Sequence, residues 1–573
     1  MNYDWSHIPP SEAETKLAGE MAAELKISPV LARVLIKRGI ESVQDARKFF
    51  RPQLTDLHDP FLFQDMQKAV DRLNEALGRK ERILVYGDYD VDGCTAVALV
   101  YRFLQQFYSN LDYYIPDRNE DGYGVSRKGV DYAYETGVGL VIVLDCGIKA
   151  TEEIAYAKEK GIDFIICDHH VPGPELPPAV AILNAKRHDN TYPYEHLCGC
   201  GVGFKLIQAF AISNSIEFSQ LIPLLDLCAI SIAADIVPIM GENRILAYHG
   251  LRQLNSAPSV GVKALMEICG LQDKEISLGD IIFKIGPRIN ASGRMQTGNE
   301  AVALLIEKNL AAAKEKAERI NEYNEQRKDL DKSMTEEANR IVKTLEHRHE
   351  HKSIVLFNEE WHRGIIGIVA SRLTEVFYKP SVVLTCTEDG MATGSARSVP
   401  GFDVYKAIES CADLLVNFGG HTYAAGLSLP AQNIPFFRQR FEQYVKEHIR
   451  PEQVNAVLCI DAEIDFRDIS RRMASDIKRF APYGPDNSKP LFCTRQVYDY
   501  GTSKVVGRDQ EHIKLELVDS KSSNVMNGIA FGQSSQARYI KTKRAFDIVY
   551  HIEENSHKRG EVQLQIEDIK PRE

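Results

Sequence analysis

The densest chemistry in the chain lies in nine residues, "VYGDYDVDG", Val85 to Gly93. Asp88, Asp90 and Asp92 stand two apart, flanked by Gly87 and Gly93. In an extended segment, side chains two apart point to the same side. The spacing therefore predicts three carboxylates on one side, just past a strand at 82–86. Like charges so close repel unless cations neutralise them. A solvated acidic turn is the other reading of an Asp/Gly cluster. Residues further along decide between the two. "LVIVLD" ends in Asp145, and "DFIICD" ends in Asp168, followed by His169 and His170. "ISIAADIVP" places Asp235 after an apolar run. Acids and imidazoles that recur where apolar strands end point to a metal centre. Five aspartates and one histidine suit two hard or borderline divalent ions, Mn²⁺ first and Mg²⁺ next. The absence of cysteine from this set argues against a structural zinc. Two ions about 3.5–4 Å apart can clamp the attacking and leaving oxygens of a phosphoryl transfer and supply hydroxide near neutral pH.

A phosphodiester is anionic, so such a site also needs donors facing the metals. Arginine forks onto phosphate in bidentate fashion. "GSARS" offers Ser395 and Arg397, and "FGGHTYAAG" offers His421, with backbone amides at Gly419 and Gly420. A tight turn is the plainer reading of Gly-Gly-His. Single strands bind through a basic groove and stacking aromatics. Near the C-terminus "KTKRAF" and "SKVVGR" supply positive charge, and Tyr498, Tyr500 and Phe531 offer rings. A solvated β-surface is the alternative there.

These residues need a frame. From 82 to about 186, apolar strands ("RILVYG", "GLVIVLDCG", "IDFIICD", "AVAILNA") alternate with helical stretches such as Thr95 to Phe107 and Glu152 to Lys160. That alternation predicts a parallel sheet covered on both faces, with ligands at the carboxyl ends of its strands. Residues 1–75 are mixed, with a helical stretch at Ser28 to Arg38. Residues 309–351 are rich in Ala, Glu, Lys and Arg, and read as one long exposed helix or two broken ones, a solvated connector. A second α/β unit is expected over 352–452. Short alternating segments over 453–573, such as "HIKLELVD", predict a small β-barrel or sandwich. The fold class is thus α/β and multidomain, with the parallel-sheet domain spanning 76–308.

Length and composition agree. The 573 residues suggest three or four domains. Apolar residues make up 44% and charged residues 26%, as in ordinary globular proteins. No apolar run resembles a signal peptide or a membrane span, which predicts a cytoplasmic protein. The 11 cysteines form no C-x-x-C pair, which suits reduced thiols. Net charge is −11, a mild argument against nucleic acid. However, Ala456 to Glu573 carries 19 Lys/Arg against 18 Asp/Glu, a net of +1, which leaves −12 for the rest.

"YGDYDVDG", "LDCGI", "DHH" and "AADIVP", in this order and spacing, resemble the four motifs of the DHH phosphoesterases. With "IPDRNEDGYG", "KIGPRINASGRM", "WHRGIIGIVASR", "GSARS" and "GGHTYAAG", the chain resembles the RecJ exonucleases within that superfamily, over about 82 to 429. The resemblance implies a DHH catalytic domain, a DHHA1 substrate-binding domain that closes over the substrate, and a C-terminal OB-fold. It implies one ion on Asp88, Asp90 and Asp145 and another on Asp92, Asp145, His169 and Asp235, with Asp145 bridging. His170 would face the scissile phosphate, and Asp168 would orient an imidazole ligand. Arg118 and Tyr123 would hold the 5′ end, although Asp121 stands where the family often has glutamate. Arg294, Ser395, Arg397 and His421 would bind substrate. "PYGPDNSKPLF" departs from the usual "FGxGN" junction before the OB-fold. The implied activity is 5′→3′ hydrolysis of single-stranded DNA to 5′-mononucleotides in recombination and repair. The implied partners are a single-strand-binding protein and a RecQ-type helicase, with the chain a monomer free of membrane. Two other readings remain open: a DHH phosphodiesterase of cyclic dinucleotides, very short oligonucleotides or pyrophosphate, and a non-catalytic replication scaffold.

Overall fold

The computed structural model describes residues 3–118, 120–344, 350–387, 390–522, 524–555 and 560–572. The chain divides into two compact units. The larger comprises Trp5–Gly293, Thr297–Glu318 and Cys459–Glu573; the smaller is chiefly Arg319–Leu458.

After a short strand, β1 (Tyr3–Ser6), come four helices: α1 (Glu12–Leu25), α2 (Pro29–Lys37), α3 (Val43–Phe50) and α4 (Met66–Arg79). Ser11 and Glu14 close a capping box at the start of α1. The parallel sheet then builds in βα steps: β2 (Arg82–Gly87), α5 (Val91–Leu104), β3 (Leu111–Tyr114), α6 (Arg127–Glu135), β4 (Val138–Leu144), α7 (Thr151–Glu159), β5 (Asp163–Cys167) and β6 (Ala181–Leu183). All pairings are parallel, in the order β3-β2-β4-β5-β6. Alternate residues serve opposite faces. Leu84, Tyr86, Val141, Val143, Phe164 and Ile166 join a core with Val130 and Ala133 of α6 and Ile154 and Ala157 of α7. Ile83, Val85, Leu140, Ile142 and Ile165 are also fully buried, and α5 and α8 (Gly199–Ser213) pack on the sheet. Burial on both faces explains why these strands read as continuous apolar runs. Two further helices, α9 (Leu225–Ala234) and α10 (Gly241–Ser256), complete the part of this domain that bears on the site.

The expected connector is one unbroken helix, Leu310–Thr344; 345–349 lie outside the described residues. It is not simply solvated. Met334, Ala338 and Val342, four apart on one face, enter a core with Trp361, Ile365 and Val369. The smaller unit carries a five-stranded mixed sheet: β7 (Ile354–Phe357), β8 (Ser381–Cys386), β9 (Met391–Arg397), β10 (Asn417–His421) and β11 (Ala424–Pro430), ordered β10-β11-β9-β8-β7.

Beyond β12 (Ala456–Cys459) and β13 (Ala462–Glu463), the C-terminal strands are β14 (Phe492–Asp499), β15 (Lys504–Val506), β16 (His512–Asp519), β17 (Met526–Ala530), β18 (Phe546–Glu554) and β19 (Val562–Pro571). Five of them form a closed ring, β14-β18-β19-β17-β16 and back to β14, which is a barrel and not a sandwich. Its core is not its own. Leu31, Leu35, Phe49 and Phe50 of α2 and α3 share one apolar cluster with Phe480, Phe492, Phe546 and Tyr550. The N-terminal helices and the C-terminal barrel are therefore one folding body.

Candidate metal centre

Strand β2 stops at Gly87 and helix α5 starts at Val91. The three aspartates thus do not alternate along a strand, as their spacing suggested. Asp88 lies in the turn, Asp90 is the N-cap of α5, and Asp92 is in its first turn. Asp90 Oδ1 accepts the Gly93 amide at 3.0 Å. A capping bond and the positive end of the helix favour carboxylates here, and this local preference overrides the pleat. Gly93 permits the tight turn, because a Cβ there would stand 2.4 Å from the Asp88 carbonyl oxygen.

Asp145 follows β4 in the left-handed region, φ +62°, a costly conformation for a residue with a side chain. Helix α8 begins against it: a Cβ on Gly199 would lie 2.6 Å from Asp145 Cβ. The same helix start holds Asp92, whose carboxylate accepts the Gly199 and Cys200 amides at 2.6 and 2.7 Å and the Ser231 hydroxyl at 2.7 Å. Sequence reasoning did not pick out these three residues. The signal for the first two was the glycine-rich "CGCGVG" at the head of an apolar helix. Asp235 also differs from expectation: it caps the C-terminal end of helix α9, not a strand.

The donors converge. His169 Nε2 lies 3.2 Å from Asp145 Oδ1, 3.6 Å from Asp235 Oδ2 and 3.9 Å from Asp92 Oδ2. Three sets place their donor atoms within 4.8 Å of one another: Asp88, Asp90 and Asp145; Asp92, His169 and Asp235; and Asp145, His169 and His170. Asp88 Oδ1, His169 Nε2 and Asp235 Oδ2 are buried and have no hydrogen-bond partner among the described residues. Buried polar atoms are normally paired, so these three fit cation ligation. Burial and then the neighbouring carboxylates push the carboxyls of Asp88, Asp145 and Asp235 well above their usual range. Such a cluster ionises fully only beside positive charge. Burial pushes His169 down to about 4, which leaves a neutral imidazole ready to ligate.

Asp168 orients an imidazole, but of His170 rather than His169. Its Oδ1 lies 2.8 Å from His170 Nδ1 and accepts the His169 and His170 amides at 2.7 and 3.0 Å; its Oδ2 accepts the Ile148 amide at 2.9 Å. Burial would raise this carboxyl, yet the bond to His170, the charge of His170 and its backbone amide outweigh it and hold it at about 2. Burial would lower His170, and Asp168 reverses that shift to a net rise. The far nitrogen, His170 Nε2, lies 3.3 Å from the Tyr123 hydroxyl, which also donates to the Asp145 carbonyl at 3.4 Å. The Tyr123 ring meets Tyr89 edge-on at 6.3 Å, and the Arg118 guanidinium lies 5.1 Å over Tyr89. Tyr89, between Asp88 and Asp90 in the first motif and assigned no role from the sequence, thus seats both residues. Asp121 accepts the Asp117 amide and the Tyr114 hydroxyl, so it ties its own loop.

In the smaller unit, Arg397 donates to Ser395 Oγ and to the Ala396 carbonyl, both at 2.8 Å. His421, Ala424 and Arg397 stand opposite one another on β10, β11 and β9, so their side chains share a face. Gly419 and Gly420 lie within β10, paired with Gly426 and Ala425; the hairpin turn is Thr422–Tyr423. Arg294 donates to the Gly364 carbonyl at 2.9 Å. On the barrel, Tyr500 and Phe531 are exposed and Tyr498 is half-buried, whereas Phe546 of "KTKRAF" is core. Lys504 and Lys514 stand opposite each other on β15 and β16.

Three family models match in succession: the DHH family N-terminal domain over 82–232, the DHHA1 domain over 350–447 and the RecJ OB domain over 460–568. The single-stranded-DNA-specific exonuclease RecJ of Bacillus subtilis is 34% identical over 566 residues, 98% of this chain and 70% of that protein. That of Salmonella typhimurium is 32% identical over 577 residues, 97% of this chain and 98% of that one. The chain belongs to the RecJ family. A crystal structure of Thermus thermophilus RecJ in complex with Mn²⁺ matches with a TM-score of 0.84 and 26% identity, covering 100% of this chain and 80% of that one. Within the RecJ framework, the DHH match takes in every donor from Asp88 to His170 and stops three residues before Asp235.

Proposed function

We propose that the protein is a single-stranded-DNA-specific exonuclease that hydrolyses phosphodiester bonds from the 5′ end and releases 5′-mononucleotides. The observation that carries the reading is the chain of donor sets in which Asp88, Asp90 and Asp145 gather at one point and Asp92, His169 and Asp235 at another, linked by His169 Nε2 at 3.2 Å from Asp145 Oδ1. Asp88, Asp90 and Asp145 hold one divalent cation, and Asp92, Asp145, His169 and Asp235 hold the other; Mn²⁺ suits the donors best and Mg²⁺ next. Such a pair, once bound, supplies a hydroxide and neutralises charge on the phosphate. Asp168 keeps the proton on His170 Nδ1, which presents Nε2 to the scissile phosphate. Arg118, braced on Tyr89, binds the terminal 5′ phosphate, and Tyr123 stands between that end and His170. Arg294, Ser395, Arg397 and His421 offer donors to other phosphates. The barrel, with Lys504, Lys514, Tyr500 and Phe531 outward, binds the strand.

This additional barrel favours a polymer over a cyclic dinucleotide. The protein acts in the cytoplasm in recombination and repair, beside a single-strand-binding protein and a RecQ-type helicase. No described helix is long and apolar enough to cross a membrane. The test is cleavage of 5′-labelled linear and circular single strands with Mn²⁺. Linear DNA should release labelled mononucleotide and circles should persist; rapid cutting of circles would show an endonuclease and remove the assigned 5′ pocket.

A further inference from the structure

The turn "PYGPDN", Pro482 to Asn487, lies far along the chain from every metal donor, yet it grips the segment that follows Asp235. Ile236 has φ +58°. A β-branched residue in the left-handed region is a true outlier, and such a conformation persists only where its surroundings over-determine it. The Ile236 side chain is 65% exposed and supplies little packing. The restraint comes from the next residues. The Ile239 amide donates to the Pro485 carbonyl at 2.8 Å. Ile239 is buried against Gly484, where a Cβ would stand 2.5 Å from Ile239 Cγ1. The Asn243 side-chain Nδ2 donates to the Pro238 and His196 carbonyls, and the Tyr194 hydroxyl donates to the Met240 carbonyl at 2.7 Å.

One turn of helix later, buried Arg244 locks the far side. It donates to the Phe480, Ala481 and Pro482 carbonyls at 3.0, 2.9 and 3.3 Å, and to Phe49 at 2.9 Å. Asn487 shapes the turn from within. Its amide donates to the Phe480 and Pro482 carbonyls at 2.8 and 2.7 Å, while its Oδ1 accepts from Arg38 at 2.5 Å.

We infer that the 482–487 turn is a positioning element of the catalytic centre: by clamping Ile239 it holds the strained Ile236 backbone that aims Asp235 at the second cation. The barrel domain thereby helps to complete the metal site. This rests on the two-ion reading above. A shift of the turn would loosen one ligand of one ion and spare Asp88 and Asp90. Residues that orient ligands without touching metal typically govern roughly 10- to 100-fold in affinity.

The experiment titrates Mn²⁺ into the full chain by calorimetry and follows hydrogen exchange. The wild-type chain should bind two ions; a single ion would sink the two-ion reading itself. Gly484→Ala should weaken the second ion about tenfold or more, within that range, and leave the first unchanged. Gly484→Ala with Ile239→Ala should recover it, because removing Cγ1 and Cδ1 leaves the new Cβ 3.7 Å from Ile239 Cβ. Two ions of wild-type affinity in folded Gly484→Ala would overturn the inference. Should that variant fail to fold, hydrogen exchange of the wild-type chain decides. Saturating Mn²⁺ should slow exchange in 236–240 and 482–487 together, since coupling between sites is reciprocal. Protection confined to 236–240 would overturn it equally.

Discussion

Single atoms separate the roles proposed around the metals. Asp145 joins Asp88 and Asp90 in one donor set and lies 3.2 Å from His169 Nε2 of the other, so Asp145→Ala should abolish cleavage; near-normal turnover with Mn²⁺ would sink the bridging assignment. His170 is held by Asp168 and directed to Tyr123. His170→Ala should keep both ions in a calorimetric titration while cleavage slows by about 10²–10⁴-fold, the usual span for a positioned proton-transfer group. Loss of an ion instead would make His170 a ligand. Arg118 rests on Tyr89 and carries no carboxylate bridge among the described ion pairs. Arg118→Ala should erase preference for 5′-phosphorylated over 5′-hydroxyl strands. A hydrogen bond to a charged group is worth roughly 1.5–3 kcal/mol, or about 10- to 150-fold in rate.

Elements act through their ends. Helix α5 begins on Asp90, helix α8 begins on Asp92, and helix α9 ends at Asp235. Helix N-termini stabilise carboxylates and fix where they point. The start of α8 is also packed so closely on Asp145 that only glycine fits. Gly199→Ala would set a methyl 2.6 Å from Asp145 Cβ. Either α8 or Asp145 must move, and the bridging carboxylate leaves its geometry. The expected outcome is a folded protein, by circular dichroism, with weakened Mn²⁺ binding and at least about 10²-fold slower cleavage, the scale for a 1 Å misplacement. Unchanged Mn²⁺ affinity would show that the close approach is tolerated.

At the scale of the whole molecule, the core shared by α1–α3 and the barrel ties the two ends of the chain into one stability. A chain cut near Arg450 would strip cover from Leu31, Leu35, Phe49 and Phe50, and should aggregate rather than report on DNA binding. Phe480 touches Phe49 and Phe50 edge-on at 5.7 and 5.2 Å. Phe480→Ala should cost about 3–5 kcal/mol in denaturant unfolding; a loss below about 1 kcal/mol would show that the two parts fold separately. DNA binding is better tested on the surface. Lys504→Ala with Lys514→Ala, on paired strands, removes two cations from one face. The slope of log affinity against log salt should become shallower by about 1.4 for a single strand, roughly 0.7 for each phosphate no longer neutralised. An unchanged slope would remove this face from the strand path.

The donors were legible because their chemistry is local. Strand runs, Asp-x-Asp-x-Asp and Asp-His-His are patterns within a few residues, and a parallel sheet brings its strand ends together whatever the loops do. The barrel was half legible: alternation showed strands, but sandwich and barrel differ only in whether β14 meets β16. The turn that replaced the expected pleat at Asp90 was decided by capping within three residues, which a two-residue periodicity overlooks. What lay beyond the sequence were contacts between distant segments. Gly199 and Cys200 reach Asp92 from more than a hundred positions away, α2 and α3 pack on a barrel over four hundred residues later, and Pro485 holds Ile239. Such contacts have no period and no motif. They arise because apolar faces and buried carbonyls must find partners once the chain is compact, and only the tertiary structure says which ones they find.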